Sequence, residues 1–462
     1  MNINNINKVY FIGVGGIGMS ALARYFNKLN KKVWGFDRTP SKLTEELLIE
    51  GIDIHFDDSV NNIPGEILKD IEHENSVVVY TPAVGETNKE LNYLINKGYR
   101  IFKRSEILGL ITNSKKGLAV AGTHGKTTVS TCLSHILNNT KSGCSAFLGG
   151  ISKNYNSNLI FSEESDLVII EADEFDRSFL HLNPSMALIT SIDPDHLDIY
   201  GDYQSYQEGF MNFILRIKEG GTLIIKKDLI KKQDLPNGIN LFNYSLNGPS
   251  DYYADNIELD NGIYNFDLIT PTGRIEKLFQ KLPGLINVEN AVAACAMAHL
   301  AGAKDNEIKH SLKEFEGIRR RFDIRVNSHK ITYIDDYAHH PEEIKALLMS
   351  LRDLYPEKEI TAIFQPHLYS RTMDLADEFA SILDDFDRLI LLDLYPAREE
   401  PIPGVSSELI FDKIKMSNKI MCNMDDVLDV IKNNPPKLLL TIGAGSIANL
   451  VGPLEKLFED FK

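Results

Sequence analysis

The stretch AVAGTHGKTTVS, residues 119–130, decides how the rest of the chain is read. A short apolar run, a glycine turn, Gly-Lys-Thr and then small residues read as strand, phosphate loop and helix. The backbone N–H groups of Gly122, Thr123, His124 and Gly125, with the Lys126 ammonium, can surround the β- and γ-phosphates of a nucleotide. The Thr127 hydroxyl, followed by Thr128, is placed to bind Mg²⁺. The loop is short at its front end, because Val120 stands where the usual spacing has a glycine.

A second glycine loop comes earlier, in VYFIGVGGIGMSALARYF, residues 9–26. Gly13, Gly15 and Gly18 fit G-x-G-x-x-G between a strand and a helix, and Asp37 ends the next strand, KKVWGFD. Such a loop cradles a diphosphate, and the acid can bond a ribose hydroxyl. What lies beyond the diphosphate stays open, since a UDP-sugar fits as well as NAD. Two loops imply two phosphate-bearing ligands, and a dehydrogenase has no use for the second. Two apolar runs, DLVIIEADEFD and MALITSIDPDHLD, end in acids. Apolar runs without alternation suit central parallel strands, whose carboxyl ends form the ligand edge of an α/β sheet. Glu171, Asp173, Glu174 and Asp176, then Asp193, Asp195, His196 and Asp198, are thereby candidates for divalent-metal binding.

At 462 residues the chain exceeds one hydrophobic core, and three blocks of strand–helix alternation are legible. The expectation is an α/β protein of three domains. Residues 1–110 form a Rossmann-like domain, 111–318 a central P-loop ATPase-type parallel-sheet domain, and 319–462 a C-terminal Rossmann-like domain. Residues 251–278 read as a β-insertion, and residues 317–321 as a hinge for closure on ligands. The net charge of −16 argues against general nucleic-acid binding. No run approaches the roughly 20 apolar residues of a membrane span, and the N-terminus has no signal-peptide pattern. Cys132, Cys144, Cys295 and Cys422 are far apart and read as free thiols. The chain reads as cytoplasmic, with no membrane or nucleic-acid partner, and as a monomer or weak dimer.

GTHGKTT, EADEFDRSFLHLNP, SIDPDHLD, NVENAVAA, FEGIRRRF, DDYAHHPEE and FQPHLYSRT, in this order along nearly the whole chain, resemble the Mur ligase family. The shortened loop is that family's form, and the family uses its first glycine loop for a UDP-sugar. The resemblance is to the alanine-adding branch. It implies a ligase of peptidoglycan synthesis that uses ATP and Mg²⁺ or Mn²⁺ to join UDP-N-acetylmuramate to L-alanine through an acyl phosphate. Lys126 would neutralise phosphate charge. Thr127 and Glu171 would hold one metal ion, and His196 a second. Asn287 and Asn290 would meet the adenine, Arg320 a phosphate and Asp336 the ribose. Tyr337, His339, His367 and Arg371 would surround the amino acid, with Arg371 on its carboxylate. Gly15, Gly16, Ile17, Gly18, Asp37, Thr81 and Ser105 would line the UDP-sugar, and His124 would face the same cleft. His340 reads as structural.

Three positions depart from the pattern. The segment GDYQSYQEGFMNFILR has no lysine, so no carbamylated lysine is expected. Leu368 stands where the branch often has arginine, and Ile286 precedes Asn287 where histidine is common. The nearest alternative in the same class is a recycling ligase that attaches a preformed tripeptide. An NAD-dependent oxidoreductase or a non-catalytic nucleotide-binding protein would leave most of these motifs without a purpose.

Overall fold

The computed structural model describes residues 3–70, 75–85, 87–195, 197–260, 262–397 and 399–459. Among them lie three sheets, and the chain divides into two compact units. One unit comprises residues 1–260, 264–281 and 288–316, and the other residues 261–263, 282–287 and 317–462.

The first unit contains two sheets. In the N-terminal one, β1 (Lys8–Ile12), β2 (Lys32–Phe36), β3 (Asp53–His55), β4 (Ser76–Tyr80) and β5 (Ile101–Lys103) are parallel, in the order β3-β2-β1-β4-β5. The order reverses beside β1, so the loop after that strand opens into the crevice where such sheets bind ligands. The central sheet has ten strands. These are β6 (Lys116–Ala121), β7 (Ser145–Ser152), β8 (Ser157–Ile160), β9 (Leu167–Glu171), β10 (Met186–Ile189), β11 (Thr222–Lys226), β12 (Asn240–Asn247), β13 (Tyr252–Asp260), β14 (Ile263–Thr270) and β15 (Gly273–Gln280). Their order is β15-β14-β13-β12-β11-β10-β6-β9-β7-β8, which puts the phosphate-loop strand β6 in the interior. Leu118, Ala119, Val120 and Ala121 are buried, as the unalternating run requires. The expected β-insertion is present as β13–β15 and extends this sheet at its edge, with β14 and β15 antiparallel.

One continuous apolar core serves both sheets. Phe11, Leu22 and Phe26 belong to the same cluster as Ala119, Phe147, Leu159 and Ile170. The seam is aromatic, with Tyr25 5.1 Å from Phe147 and 5.8 Å from Phe161 between ring centroids. Each such pair contributes roughly 0.5–1.5 kcal/mol beyond simple burial.

The second unit is built on β16 (Asp323–Asn327), β17 (Thr332–Asp336), β18 (Ile360–Phe364), β19 (Arg388–Leu392), β20 (Lys419–Cys422) and β21 (Leu438–Ile442). Their order is β16-β17-β21-β18-β19-β20, parallel except for β16 against β17. The two faces carry separate apolar clusters, one around Leu351, Phe379 and Leu440 and one around Tyr333, Ile363 and Leu439. The described cysteines are free, and no helix among the described residues is long and apolar enough to cross a membrane.

Candidate active site

The first glycine loop lies where its spacing requires. Gly15, Gly16, Ile17 and Gly18 follow β1, Asp37 follows β2 and Thr81 follows β4, all at one sheet edge. The Gly15 N–H donates to Asp37 Oδ2 at 2.7 Å, and Thr39 N–H donates to the other oxygen at 3.1 Å. The acid thus shapes the loop itself. Ser105 is buried in the first turn of the helix Arg104–Ser114. Its neighbour Arg104 was not marked by any motif. The Arg104 guanidinium lies against Gly18, so close that a Cβ there would collide with it, and it pairs with Asp173 at 3.6 Å. It is a cation beside the first glycine loop, found only through tertiary contact.

The second loop joins β6 to the helix Lys126–Asn138. Gly125 caps that helix at φ +80°, a left-handed conformation that glycine adopts without strain, and a Cβ there would also meet the Asn290 side chain. The loop is braced by the turn after β10. Thr190 Oγ1 donates to the His124 carbonyl at 2.5 Å, and the His124 N–H donates to Ser191 Oγ at 2.9 Å. Thr123 Oγ1 donates to the Asp193 carbonyl at 2.8 Å and lies 2.9 Å from the Tyr206 hydroxyl. His124 Nε2 is 3.7 Å from Asp193. These braces depend on β10 lying beside β6, a pairing that no local pattern announces.

Lys126 points back into its own loop. Its ammonium donates to the Gly122 carbonyl at 2.7 Å, to the Thr123 carbonyl at 3.3 Å and to Glu174 Oε1 at 2.7 Å. Glu174 is buried, and burial pushes its carboxyl up against the pull of Lys126. Burial alone would lower the Lys126 pKa. Glu174, Asp173 and Glu171 outweigh it, so the ammonium keeps its proton above the usual lysine range. Of the acids read as possible metal ligands, Glu174 therefore serves as the counter-ion of the loop lysine.

Thr127 Oγ1 donates to Glu171 Oε1 at 3.1 Å, and the Gly149 N–H on β7 donates to Oε2 at 3.1 Å. A hydroxyl beside a carboxylate, at the base of a phosphate loop, is the hard-oxygen pair that Mg²⁺ takes when phosphate and water complete its shell. Among the described residues no group of three His, Cys, Asp or Glu forms a metal cage. His196, expected at a second metal, lies outside the described residues. Asn290 is buried beside Gly125 in the first unit. Asn287 belongs to the second, where its amide donates to the Pro283 carbonyl at 2.6 Å.

The second unit gathers its own set. Arg320, at φ +63°, donates from Nε to buried Asp335 at 3.1 Å and from Nη2 to the Gly443 carbonyl at 2.5 Å. Asp336 accepts from the Phe322 N–H at 2.6 Å and from the Ala338 N–H at 2.7 Å, and burial raises its carboxyl to about 6. The guanidinium carbons of Arg320 and Arg321 lie 5.3 and 5.0 Å from the centre of the Tyr337 ring. Tyr337, His339, His367 and Tyr395 form a chain of rings, each 5.3–5.8 Å from the next. His339 Nδ1 is 3.0 Å from the Tyr337 carbonyl; since a carbonyl only accepts, the proton is on Nδ1 and the lone pair on Nε2. Burial lowers its pKa to about 4, with Glu343 opposing and Arg371 adding to the shift, so the ring is neutral at pH 7. Arg371 sits on the helix Tyr369–Asp374. Leu368, just before it, holds φ +72° and ψ +137°, a conformation that costs a non-glycine residue on the order of 1–3 kcal/mol. His340 caps the helix Pro341–Leu354.

Known proteins are similar to this chain over nearly its whole length. Three family models match in sequence: "Mur ligase family, catalytic domain" over residues 8–116, "Mur ligase middle domain" over 120–298 and "Mur ligase, glutamate ligase domain" over 320–445. A UDP-N-acetylmuramate–L-alanine ligase of Parabacteroides distasonis is 49% identical over 457 residues, which cover 99% of this chain and 98% of the relative. That of Phocaeicola vulgatus is 48% identical over 454 residues, 98% of each chain. Among solved structures, the UDP-N-acetylmuramate–alanine ligase of Thermotoga maritima superposes with a TM-score of 0.82 at 25% identity, covering 98% of this chain and 100% of that one. A murein peptide ligase of Psychrobacter arcticus shares the fold with a TM-score of 0.71 at 22% identity, over 97% and 98% of the two chains. With both glycine loops, the acidic edge and the histidine-bearing second unit all falling within matched segments, the chain belongs to the Mur ligase family.

Proposed function

We propose that the protein joins the lactyl carboxylate of UDP-N-acetylmuramate to the amino group of L-alanine at the expense of ATP, a step of peptidoglycan precursor synthesis carried out in the cytoplasm. The observation that carries this reading is the phosphate loop in which Lys126, Thr127 and Glu171 converge, in a chain about 48% identical to alanine-adding ligases over nearly its full length. A carboxylate does not react with an amine at neutral pH and has to be activated. Transfer of the γ-phosphoryl group to the lactyl oxygen gives an acyl phosphate and ADP. The alanine nitrogen then attacks the carbonyl carbon, and phosphate leaves.

The residues divide this work. The first glycine loop, with Asp37, Thr81, Ser105 and Arg104 at its mouth, holds the UDP-sugar. Lys126 leaves Glu174 for the phosphates and neutralises the charge that spreads over the transferring group. Thr127 and Glu171 would hold Mg²⁺, which when bound draws charge from the phosphate oxygens. His196 is proposed for a second metal ion, and Asn290 and Asn287 for the adenine. In the second unit, Arg320 and Asp336 are assigned to nucleotide phosphate and ribose. Tyr337, His339, His367 and Arg371 are assigned to the amino acid, with Arg371 on its carboxylate.

Phosphate release with MgATP and UDP-N-acetylmuramate, with L-alanine, L-serine, glycine or a preformed tripeptide in separate reactions, tests the reading. Release that requires both the sugar nucleotide and L-alanine is the expected result. Release with the tripeptide instead would assign the protein to recycling, and release with neither would end the proposal.

A further inference from the structure

The seam between the two sheets of the first unit is largely apolar, with the Tyr25, Phe147 and Phe161 rings at its centre. One buried polar group crosses it at the end nearest the first glycine loop. Asn158, on β8 of the central sheet, is fully buried. Its Nδ2 donates to the Ile17 carbonyl at 2.5 Å and to Ser20 Oγ at 2.8 Å, and its Oδ1 accepts from Arg24 Nη1 at 2.5 Å. Both donors and the acceptor are used, all on the helix Ile17–Lys28 that the glycine loop opens. Ser20 also donates from its hydroxyl to the Ile17 carbonyl at 3.0 Å, and its N–H donates to the Gly16 carbonyl at 2.9 Å. Arg24 continues the network, with Nε 2.9 Å from Glu50 and Nη2 3.0 Å from Glu46.

The other end of this connection reaches the second loop. β8 pairs with β7, Phe147 opposite Leu159, and the β7 residue Gly149 holds Glu171, which accepts from Thr127. The contacts Lys103–Asp176 at 2.8 Å and Arg104–Asp173 at 3.6 Å also cross between the sheets, but their side chains are partly exposed and open to screening by salt.

We infer that Asn158 is a positioning residue: from the central sheet it clamps the first turn of the diphosphate-loop helix and so sets the distance between the two phosphate-binding loops. This rests on the functional reading above, in which one loop holds the sugar nucleotide whose carboxylate must meet the γ-phosphate held by the other. Reacting atoms have to approach to within about 3–3.5 Å, and a misplacement near 1 Å costs on the order of 100-fold in rate.

Asn158→Asp tests it, because the variant keeps an acceptor for Arg24 but loses both donors. Ser20→Ala removes one of the two partners. For Asn158→Asp the expected result is a kcat lower by roughly 10- to 100-fold and a weaker UDP-N-acetylmuramate KM. The KM for ATP and the thermal unfolding midpoint stay near wild type. Ser20→Ala should give a smaller loss of the same kind, and the double variant less than the product of the two. An Asn158→Asp enzyme within about two-fold of wild type in kcat and sugar-nucleotide KM would overturn the inference. So would parallel loss of every kinetic constant together with the unfolding midpoint, since Asn158 would then only hold the fold. A wild-type enzyme without alanine-dependent release would instead overturn the functional reading, and this inference with it.

Discussion

Each half of the first unit buries a carboxylate, and the two are kept in opposite ways. Glu90 accepts from the hydroxyl of Tyr10, on the strand leading into the first loop, and from the Ser59 N–H at 3.1 Å. Burial pushes its carboxyl up to about 7, with Asp58 and Asp57 adding to the shift. His55 lies 3.6 Å away, but burial lowers the imidazole pKa, so a neutral ring faces the acid near neutral pH and the pair is no salt bridge. Glu174 meets the same burial with a cation, the Lys126 ammonium at 2.7 Å. The first network is self-contained and structural. The second is a charge pair, and in the function proposed above the lysine leaves this carboxylate for an incoming phosphate.

The strongest way to break this comparison is Lys126→Ala. Glu174 can take up a proton in the variant, so the fold should survive. Phosphate release should fall by more than about 1,000-fold. Calorimetric affinity for UDP-N-acetylmuramate, which belongs to the other loop, should stay within about three-fold. Loss of both would mean that the two loops do not divide the ligands as proposed.

Glu174→Gln sharpens it. Without Glu174 only Asp173 and Glu171 are left to offset the burial of the ammonium until an anion arrives, so ATP should stabilise the variant against thermal unfolding more than it stabilises wild type. The ATP affinity should rise roughly three- to ten-fold. Unchanged ATP affinity would show that phosphate does not compete with Glu174 for the lysine.

Glu90→Gln is the mildest of the three. A carboxyl raised from 4.5 to about 7 contributes its stability in full below about 4.5 and loses it as pH rises through 7. The amide cannot ionise. At pH 8 the variant should therefore unfold at a higher temperature than wild type, by roughly 3 kcal/mol of stability, and the gap should narrow towards pH 5. A gap independent of pH would mean that Glu90 stays ionised in the folded protein. Ligase turnover is expected to be unaffected.

What could be read before the structure follows from what is local in the chain. Gly122, Gly125, Lys126 and Thr127 lie within six consecutive residues, and the backbone geometry of a strand–loop–helix turn brings them together wherever it occurs. The apolar runs ending at Glu171 and Asp37 were legible for the same reason, because burial on both faces removes alternation and leaves the acids at the sheet edge. β7 was missed since SAFLGGIS is interrupted by two glycines, and β8 (SNLI) and β20 (KIMC) because each is short and lacks the unbroken apolar run that marked the equally short β10 (MALI).

The sequence by itself determined the α/β class, the two phosphate loops, the acids at the sheet edge and, through its motifs, the family. Each of these is carried by residues adjacent in the chain or by the burial pattern of a single element. Only the tertiary structure decided that Glu174 answers Lys126, that Arg104 lies on Gly18, that Thr190 and Tyr206 brace the phosphate loop and that Asn158 reaches Ile17. Those contacts join residues 48 to 141 positions apart for the pairs Lys126–Glu174 and Ile17–Asn158. They exist because strand order puts β9 and β10 on either side of β6 and β4 between β1 and β5, and because a shared apolar seam presses the first helix against β7 and β8.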